Sequence, residues 1–329
     1  MSLKYTIKEY AKLSSAHFIF LTAVIPITGA IAMGEKSYFL LTIIFFIGVS
    51  AHIVGFAFNH YNDIKVDSLI NKKLNRPLPS GSISKKQALL YILSVFLIGL
   101  ILTLYFFGIK LVIIYLFGIF LASIYDIFSK RICGMDLILA ASVSIGVVFG
   151  SATVSFDFSS LVIILWILAF FQTLNLNLVA GGIKDADHDS MIDSKHISTI
   201  LGVRVKNNIL IIPNSFKILS YLIAITYSLI VLIPVVLGII LLNNILLITL
   251  FIINILFLVL TYKMLNLNKF KRQKIRKYLV VQFTLNWLNI PIILMSTAPW
   301  AGLMIFYPII GLISSNIIIY RTIITPQVL

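Results

Sequence analysis

The sequence predicts an all-α membrane protein that crosses the bilayer many times, and two observations support this fold class. Hydrophobic residues make up 60% of the 329 residues and charged residues only 11%, whereas about a quarter of the residues in soluble domains are charged. Apolar runs of roughly 17–25 residues, the length that crosses a bilayer, recur from one end of the chain to the other. Each span is expected to be helical, because lipid offers the backbone no hydrogen-bond partners.

The apolar runs predict ten spans. They cover residues 17–34, 38–58, 87–106, 111–127, 135–154, 160–183, 216–240, 243–262, 279–297 and 299–320. Pro26 is expected to kink the first span, and Pro291 and Pro299 leave open how the last two are divided. The pattern contains no linker or low-complexity tract, so residues 1–329 are predicted to form a single transmembrane domain.

The basic residues predict which span ends face the cytoplasm. If the N-terminus is cytoplasmic and the spans alternate, all of the 26 Lys and Arg residues except Lys36 and Lys110 fall on the inner side. This asymmetry agrees with the positive-inside rule. We therefore expect a multi-pass protein of the cell membrane with a cytoplasmic N-terminus. The net charge of +15 then reflects topology and contact with anionic membrane lipids, and no nucleic-acid partner is expected.

The acidic residues are concentrated after the second and sixth predicted spans, where six of the eleven lie in two short stretches. We call Asn59, Asp63 and Asp67 the first acidic motif. The second acidic motif comprises Asp185, Asp187 and Asp189, and Asp193 follows it. Ionisable groups at membrane depth are costly and indicate a functional site. Because both motifs fall on the predicted inner side, the active site is expected at the cytoplasmic face.

The spacing of these residues points to a divalent cation. The first motif recurs every four residues, and so do Asp185, Asp189 and Asp193, so each set shares one face of a helix. Like charges at this spacing repel, and a positive group must offset that. All candidate ligands are oxygen donors, which suits Mg²⁺ bridged to substrate phosphates. Metal ions stabilise the charge that develops on a leaving oxygen. If the leaving group is a diphosphate on an allylic carbon, a wall of apolar side chains would guide the chain and exclude water.

Longer runs around the motifs carry a family resemblance. The first is Asn59-His-Tyr-Asn-Asp63-Ile-Lys-Val-Asp67, which is followed by Asn75-Arg76-Pro77-Leu78-Pro79-Ser80-Gly81. The second is Lys184-Asp185-Ala-Asp187-His-Asp189, which is followed by Gly202. Together these runs resemble the two signatures of the UbiA superfamily of intramembrane prenyltransferases. The chain departs from the family at Asp193, where Gly is usual, and at Asp187, where Glu or another polar residue is common.

The resemblance implies a set of site residues. Mg²⁺ would be bound by Asn59, Asp63, Asp67, Asp185 and Asp189, and these four Asp would be catalytic. Asp187 and Asp193 are additional candidates, Asp193 either as a ligand or as a helix cap. The Tyr and Lys that the family carries after span four correspond to Tyr125 and Lys130, five residues apart instead of four. With the basic residues near the motifs, the predicted diphosphate-binding set is Lys72, Arg76, Tyr125, Lys130, Lys184 and Lys195.

The resemblance also implies a fold and an activity. The fold would be nine helices around a central cavity that opens laterally to lipid, with the tenth, C-terminal span as an addition. The activity would be Mg²⁺-dependent transfer of a prenyl group, geranylgeranyl or similar, from its diphosphate to a lipid or aromatic acceptor. The 75–81 run is most similar to archaeal members that prenylate geranylgeranylglyceryl phosphate. A hydroxybenzoate or naphthoate ring, a quinone precursor, remains open as the acceptor.

Two other classes of membrane protein also use acidic motifs. Alcohol phosphatidyltransferases need Asp-Gly followed by Ala-Arg, and neither acidic motif has this pattern. A cation transporter would carry its acids near the bilayer midplane, whereas these acids lie at span ends beside basic residues. The basic run 269–277 is expected to anchor the inner face to anionic lipid, with a role at a substrate phosphate as the alternative.

Overall fold

The computed structural model describes residues 3–68, 74–191 and 194–320. The α-helical segments of these residues, numbered in chain order, are α1 (Leu3–Leu13), α2 (Ile19–Thr22), α3 (Ile25–Ala32), α4 (Tyr38–Asn62), α5 (Ile64–Ser68), α6 (Lys85–Phe107), α7 (Ile109–Phe128), α8 (Met135–Ala152), α9 (Ser160–Leu174), α10 (Gly182–Lys184), α11 (Ala186–Asp189), α12 (Ile197–Ile200), α13 (Asn214–Val236), α14 (Asn244–Leu265), α15 (Arg272–Leu294) and α16 (Phe306–Tyr320). The predicted all-α, polytopic fold class is confirmed.

Seven of the described helices are long and apolar enough to cross a bilayer, and the bent N-terminal pair of helices makes an eighth candidate. These eight correspond to the first eight predicted spans. The other two predicted spans differ from expectation for physical reasons. Helix α15 starts at Arg272, well before residue 279, so its first two turns are basic. Helix α16 has 15 residues, about 22 Å of helix, which is short of the roughly 30 Å hydrocarbon core.

The N-terminal part of the chain is broken instead of forming one kinked span. Helix α1 and the segment Ala16–Ala32 meet at an angle of 62°, and Ser15, between them, adopts a left-handed conformation with φ of 45°. A second break separates α2 from α3, and Pro26 is the second residue of α3, where its missing N–H costs no helical hydrogen bond. The breaks turn His17 and Phe18 into the interior of the bundle.

Close packing of α3 on α8 forms one wall of the bundle. Gly146 and Gly150 lie one helical turn apart on α8, and a Cβ at Gly150 would overlap the carbonyl of Pro26. A Cβ at Gly29 of α3 would overlap the carbonyl of Val147. Small residues allow helix backbones to approach in this way, which is typical of membrane helices.

The sixth predicted span changes its winding near its end. After α9, residues Asn175–Gly181 form a π-helical segment, and α10 follows it without a break. Single π-helical turns inside α-helices occur frequently at functional sites. The wider turn brings the side chain of Asn177 towards α7 and α8, and the second acidic motif follows directly.

A short β-hairpin, absent from the sequence prediction, precedes α13. Strands β1 (Arg204–Lys206) and β2 (Ile209–Ile211) are antiparallel, and the turn residues Asn207 and Asn208 both have positive φ, as a tight hairpin turn requires. The N–H of Leu210 donates to Asn268 O at 3.0 Å, and the N–H of Phe270 donates to Asn208 O at 2.9 Å. These bonds fix the segment that leads into α15.

The C-terminal helix α16 packs against the broken N-terminal segment. The Tyr307 ring lies 5.4 Å from the Phe20 ring and 5.9 Å from the Phe45 ring. A Cβ at Gly311 would overlap the Phe20 side chain. The last helix therefore packs against α2 through Phe20. Helix α15 packs on Leu21 and Val24 of the same N-terminal segment.

Candidate functional site

A cavity of about 480 Å³ lies inside the bundle, within the range of about 300–1,000 Å³ that is usual for small-molecule sites. Its walls are formed by α4, α7, α8 and the π-helical segment, with the N-terminal turn and α3 on one side. One end, which we call the polar end, is lined by charged and amide side chains from both acidic motifs. The other end is lined by apolar side chains.

The first acidic motif keeps helical register across the junction of α4 and α5. The N–H of Asp63 donates to Asn59 O at 3.0 Å, and the N–H of Asp67 donates to Asp63 O at 2.8 Å. The three side chains therefore lie on one face. Lys130 forms an ion pair with Asp63, and Arg76 donates to Asp67. Asp67 is only 1% exposed, so this pair is buried behind the cavity wall.

The second acidic motif also keeps a helical repeat. The N–H of Asp185 donates to Gly181 O, and the N–H of Asp189 donates to Asp185 O, both at 2.9 Å. Lys184 Nζ lies 3.1 Å from Asp185 Oδ2. Arg272, from the first turn of α15, forms an ion pair with Asp187 and lies 3.9 Å from Asp185 Oδ1. One arginine thus contacts two acids of this motif.

A cluster of polar side chains from the α7–α8 hairpin joins the two motifs. Asn177 Nδ2 donates to Asp136 Oδ1 at 2.8 Å and to the Tyr125 hydroxyl at 3.2 Å. Asn59 Nδ2 donates to Asp126 Oδ1 at 2.9 Å. An asparagine from each half of the chain is therefore held by an aspartate from the hairpin between the halves.

The structure gathers most of the predicted site residues around one cavity. The predicted residues that line it are Asn59, Asp63, Arg76, Tyr125, Lys130, Lys184, Asp185 and Asp189. Asp67 lies behind the wall on Arg76, and Asp187 turns towards Arg272 and an adjoining surface groove. Lys195 has an exposed side chain outside the lining, and its N–H donates to Lys130 O at 3.0 Å. Lys72 and Asp193 lie outside the described residues.

Sequence reasoning missed several residues of the polar end. The basic run 269–277 is expected to anchor the inner face to lipid, with a role at a substrate phosphate as the alternative, and the structure places Arg272 of this run at the second acidic motif. Asp126, Asp136 and Asn177 were not singled out, although an acid or amide near a span end was a usable signal. The chain has five histidines, and all of them line the cavity. Arg272 and Arg276 lie one helical turn apart within a Lys-rich run. This spacing was the signal that one face of the helix is directed into the bundle.

The cavity-lining cations are balanced by the acids. Among the described residues, four lysines and arginines line the cavity, and each pairs with an acid of the motifs: Arg76 with Asp67, Lys130 with Asp63, Lys184 with Asp185, and Arg272 with Asp187. The four cations come from four separate segments of the chain. An anionic ligand that carries divalent cations could bind to both members of these pairs. The acids would bind the metal, and the basic side chains would bind the anion.

The donor set at the polar end fits Mg²⁺. Carboxylate and amide oxygens are available, and these are the ligands that a hard cation prefers. Within the described ranges, no three His, Cys, Asp or Glu side chains are grouped so as to hold a metal ion by themselves. Mg²⁺ is usually bound by one or two carboxylates together with substrate phosphates, and all-protein cages are uncommon. The arrangement therefore suits a cation that arrives with a phosphate-bearing ligand.

The apolar end of the cavity is deep. Along α4 it extends from Asn59 to Ile47, and along α8 from Asp136 to Phe149. These helical stretches correspond to roughly 18 and 20 Å at 1.5 Å per residue. Ile47, Tyr115 and Phe149 are buried together in one hydrophobic cluster, and this cluster forms the floor of the cavity.

Relatives of known name match parts of the chain. A 4-hydroxybenzoate octaprenyltransferase from Marinomonas sp. (strain MWYL1) is 39% identical over 92 residues, which are 28% of this chain and 32% of the relative. A digeranylgeranylglyceryl phosphate synthase from Saccharolobus solfataricus is 29% identical over 205 residues, which are 60% of this chain and 70% of the relative. A protoheme IX farnesyltransferase from Caldivirga maquilingensis is 29% identical over 139 residues, which are 40% of this chain and 48% of the relative. The matches thus span between about a third and 70% of these relatives.

Solved structures share the fold. A structure of digeranylgeranylglyceryl phosphate synthase in membranes has a TM-score of 0.65 and 20% identity, and the match covers 91% of this chain and 99% of that one. A UbiA homologue from Archaeoglobus fulgidus bound to GPP and Mg²⁺ has a TM-score of 0.59 and 14% identity, and covers 86% of this chain and 99% of that one. Identities this low establish the fold alone.

The family comparison covers most of the chain. The model of the UbiA prenyltransferase family matches residues 23–290, a range that contains both acidic motifs and the α7–α8 hairpin between them. The resemblance seen in the two acidic runs is therefore confirmed, and the chain belongs to the UbiA prenyltransferase family.

Proposed function

We propose that this protein transfers a prenyl group from an isoprenoid diphosphate to a membrane-associated acceptor, with Mg²⁺ as its cofactor. The observation that carries the proposal is the division of the cavity, in which two acidic motifs and four cations meet at the polar end of an apolar channel. An isoprenoid diphosphate has the same division between a charged head and an apolar tail. Family membership supports it, as do the matched relatives named as an octaprenyltransferase and a farnesyltransferase.

The residues of the polar end have distinct roles in this proposal. Asn59, Asp63, Asp67, Asp185 and Asp189 would hold Mg²⁺, with Asp67 placed behind the cavity wall, where it pairs with Arg76. The bound cation would neutralise negative charge on the departing diphosphate. The basic side chains then bind the outer phosphate oxygens as charge-assisted hydrogen-bond donors; we assign this role to Arg76, Lys130, Lys184 and Arg272. Tyr125, held by Asn177, adds a hydroxyl donor. The apolar walls exclude water from the allylic cation left behind.

The depth of the channel supports a donor tail of about four isoprene units. Extended chains cover about 3.3–3.6 Å for every three backbone bonds, or roughly 1.2 Å per bond. A tail of four isoprene units has about sixteen bonds along its main chain and so reaches about 19 Å. This matches the distance from the polar end to the floor at Phe149. We therefore propose geranylgeranyl diphosphate as the donor.

The acceptor we propose is geranylgeranylglyceryl phosphate. The digeranylgeranylglyceryl phosphate synthase of Saccharolobus solfataricus supports this choice, because it matches the chain over more residues than the other relatives named above. An aromatic quinone precursor is the second candidate, because the Marinomonas hydroxybenzoate enzyme has the higher identity over its shorter match.

We further propose that residues 1–329 work as a single domain whose N-terminus and polar end face the cytoplasm of the cell. The distribution of Lys and Arg along the sequence supports this orientation. Cysteine-labelling offers a direct measurement, because Cys133 is the chain's single cysteine, is exposed and lies next to the polar end in the α7–α8 connection. A membrane-impermeant thiol reagent should modify Cys133 in inverted membrane vesicles, whose outer surface is the cytoplasmic face, and should not modify it in intact cells.

The function is tested with the purified full-length protein in lipid nanodiscs. Geranylgeranyl diphosphate is supplied with a panel of acceptors, namely geranylgeranylglyceryl phosphate, hydroxybenzoate and a dihydroxynaphthoate. We expect one prenylated product with Mg²⁺, none after chelation with EDTA, and recovery on adding Mg²⁺ back. Turnover of hydroxybenzoate in place of the glyceryl lipid would select the second candidate. Absence of any product, or turnover indifferent to EDTA, would contradict the proposal.

A further inference from the structure

The pair formed by Asn59 and Asp126 connects the first acidic motif to α7. Asn59 lies in the last turn of α4, and Asp126 lies next to Tyr125 near the end of α7. Asn59 Nδ2 donates to Asp126 Oδ1 at 2.9 Å. Both side chains line the cavity at its polar end. The pair is thus part of the site and joins two helices that are distant in sequence.

This hydrogen bond determines which atom of Asn59 faces the cavity. The Asn59 amide directs its nitrogen at Asp126, which is the orientation required by a cation-bound carboxylate, since such a group only accepts hydrogen bonds. The Asn59 oxygen, Oδ1, is then the atom left for a cation bound by Asp63 and its neighbours. Without Asp126 the amide could turn over and present an N–H group, which repels a cation.

The second carboxylate oxygen of Asp126 provides independent evidence for a ligand at this position. Asp126 is 8% exposed, and its Oδ2 is buried without a hydrogen-bond partner among the described residues. None of the ion pairs formed by those residues includes Asp126, whereas Asp63 and Asp67 each pair with a cation. A buried carboxylate oxygen with neither a donor nor a cation is costly. Its position in the cavity lining indicates that a ligand satisfies it.

We propose that Asp126 is part of the cation site: it positions the Asn59 oxygen and offers Oδ2 as an additional oxygen to a hard divalent cation. The inference rests on the proposed function, because it deepens the cation site assigned there. Groups that orient a metal ligand typically change metal affinity 10- to 100-fold when they are mutated. Asp126 therefore acts on the cation directly and through Asn59, and the effect is expected in cation binding itself.

The test measures Mn²⁺ binding to the full-length protein in detergent, with inorganic pyrophosphate present, from the free Mn²⁺ signal in electron paramagnetic resonance. We expect Asp126→Asn to weaken binding about 10- to 100-fold. The exchanged double variant Asn59→Asp/Asp126→Asn should restore the affinity to within about threefold, because the amide then donates to the carboxylate from the other side. The control is Asp157→Asn, which removes an acid at an exposed position outside the cavity lining and should leave Mn²⁺ affinity unchanged.

The outcomes distinguish the cation site of the proposed function from the role of Asp126 in that site. If the wild-type protein binds no Mn²⁺, the cation site of the proposed function is wrong. If the wild type binds Mn²⁺ and Asp126→Asn binds it equally well, the role of Asp126 is overturned while the cation site stands. A lower melting temperature with unchanged affinity would show a purely structural role and also overturn it. Asp126→Ser, which removes the same charge, gives the same comparison if the Asn variant does not fold.

Discussion

Both acidic motifs contain two aspartates four residues apart, Asp63 and Asp67 or Asp185 and Asp189, but the motifs are held in different ways. In the first motif, Asp67 is almost fully buried and pairs with Arg76, which follows it in the same connection. In the second motif, the side chain of Asp185 is 39% exposed, and Arg272 reaches it from α15. The first motif is therefore stabilised by burial within its own half of the bundle. The second is held by the adjacent Lys184 and by Arg272, a cation from a distant segment of the chain.

This difference separates two kinds of defect. Removing one partner of a buried ion pair leaves an uncompensated charge and destabilises the fold. Removing the partner of a half-exposed acid leaves a charge that water can solvate, so the fold is less affected. The same kind of substitution should therefore reduce stability at the first motif and ligand affinity at the second. The following predictions test this comparison, from the largest expected effect to the smallest.

The largest effect is expected when a carboxylate is neutralised in either motif. Asp63→Asn and Asp185→Asn should each lower kcat by about 10²–10³-fold, the range seen when one group that stabilises transition-state charge is removed. Prenyl transfer from geranylgeranyl diphosphate, measured by product chromatography, provides the assay. Asp157→Asn, at an exposed position outside the cavity, is the control and should be unchanged. Full activity in either motif variant would remove that motif from the site.

Truncating the arginine partners should separate the motifs. Arg76→Ala should destabilise the protein by about 3–5 kcal/mol, because Asp67 is then buried without its cation. Arg272→Ala should leave the melting temperature close to that of the wild type and raise the KM for the donor about 10- to 100-fold, the equivalent of one charge-assisted hydrogen bond. Thermal unfolding and steady-state kinetics on both variants measure this. Equal losses of stability would show that burial does not distinguish the motifs.

The β-hairpin should affect only the second motif. Asn208 has φ of 61° and its carbonyl accepts from the N–H of Phe270, so Asn208→Val places a β-branched residue where it is strained. We expect the KM for the donor to rise about threefold, the equivalent of roughly 0.7 kcal/mol, since Arg272 loses part of its support. Lys206→Ala, exposed on the same hairpin, is the control. An unchanged KM for Asn208→Val would mean that α15 positions Arg272 unaided.

The smallest effect is expected at Lys195. Its side chain is exposed and is not part of the cavity lining, and its backbone N–H contacts Lys130. Lys195→Ala should keep kcat and the KM for the donor within about twofold, as for most surface substitutions. Lys130→Ala, in contrast, removes a cation that pairs with Asp63 and should raise the KM for the donor at least tenfold. A large effect at Lys195 would restore it to the diphosphate-binding set.

Much of the site could be predicted from the sequence because the four-residue repeats are local. Asn59, Asp63 and Asp67 are joined by backbone hydrogen bonds of helical type, so their common face follows from spacing alone. Tyr125 and Lys130 also reach the cavity despite their altered spacing. Arg272 could not be placed in this way, because its contact with Asp187 joins residues 85 positions apart. Long-range contacts of this kind depend on how the helices pack.

The sequence by itself determined the membrane class, the positions of the first eight spans and the two acidic motifs, because hydrophobicity and helical spacing are properties of neighbouring residues. Only the tertiary structure decided that the N-terminal segment breaks at Ser15, that a π-helical turn directs Asn177 inward, and that Arg272 and Asp126 join the polar end. These features arise where separate helices compete for the same space and where charges from distant segments must be paired inside the bundle. The physical reason is that burial and charge pairing are settled by the whole packed chain, whereas periodicity is settled within each segment.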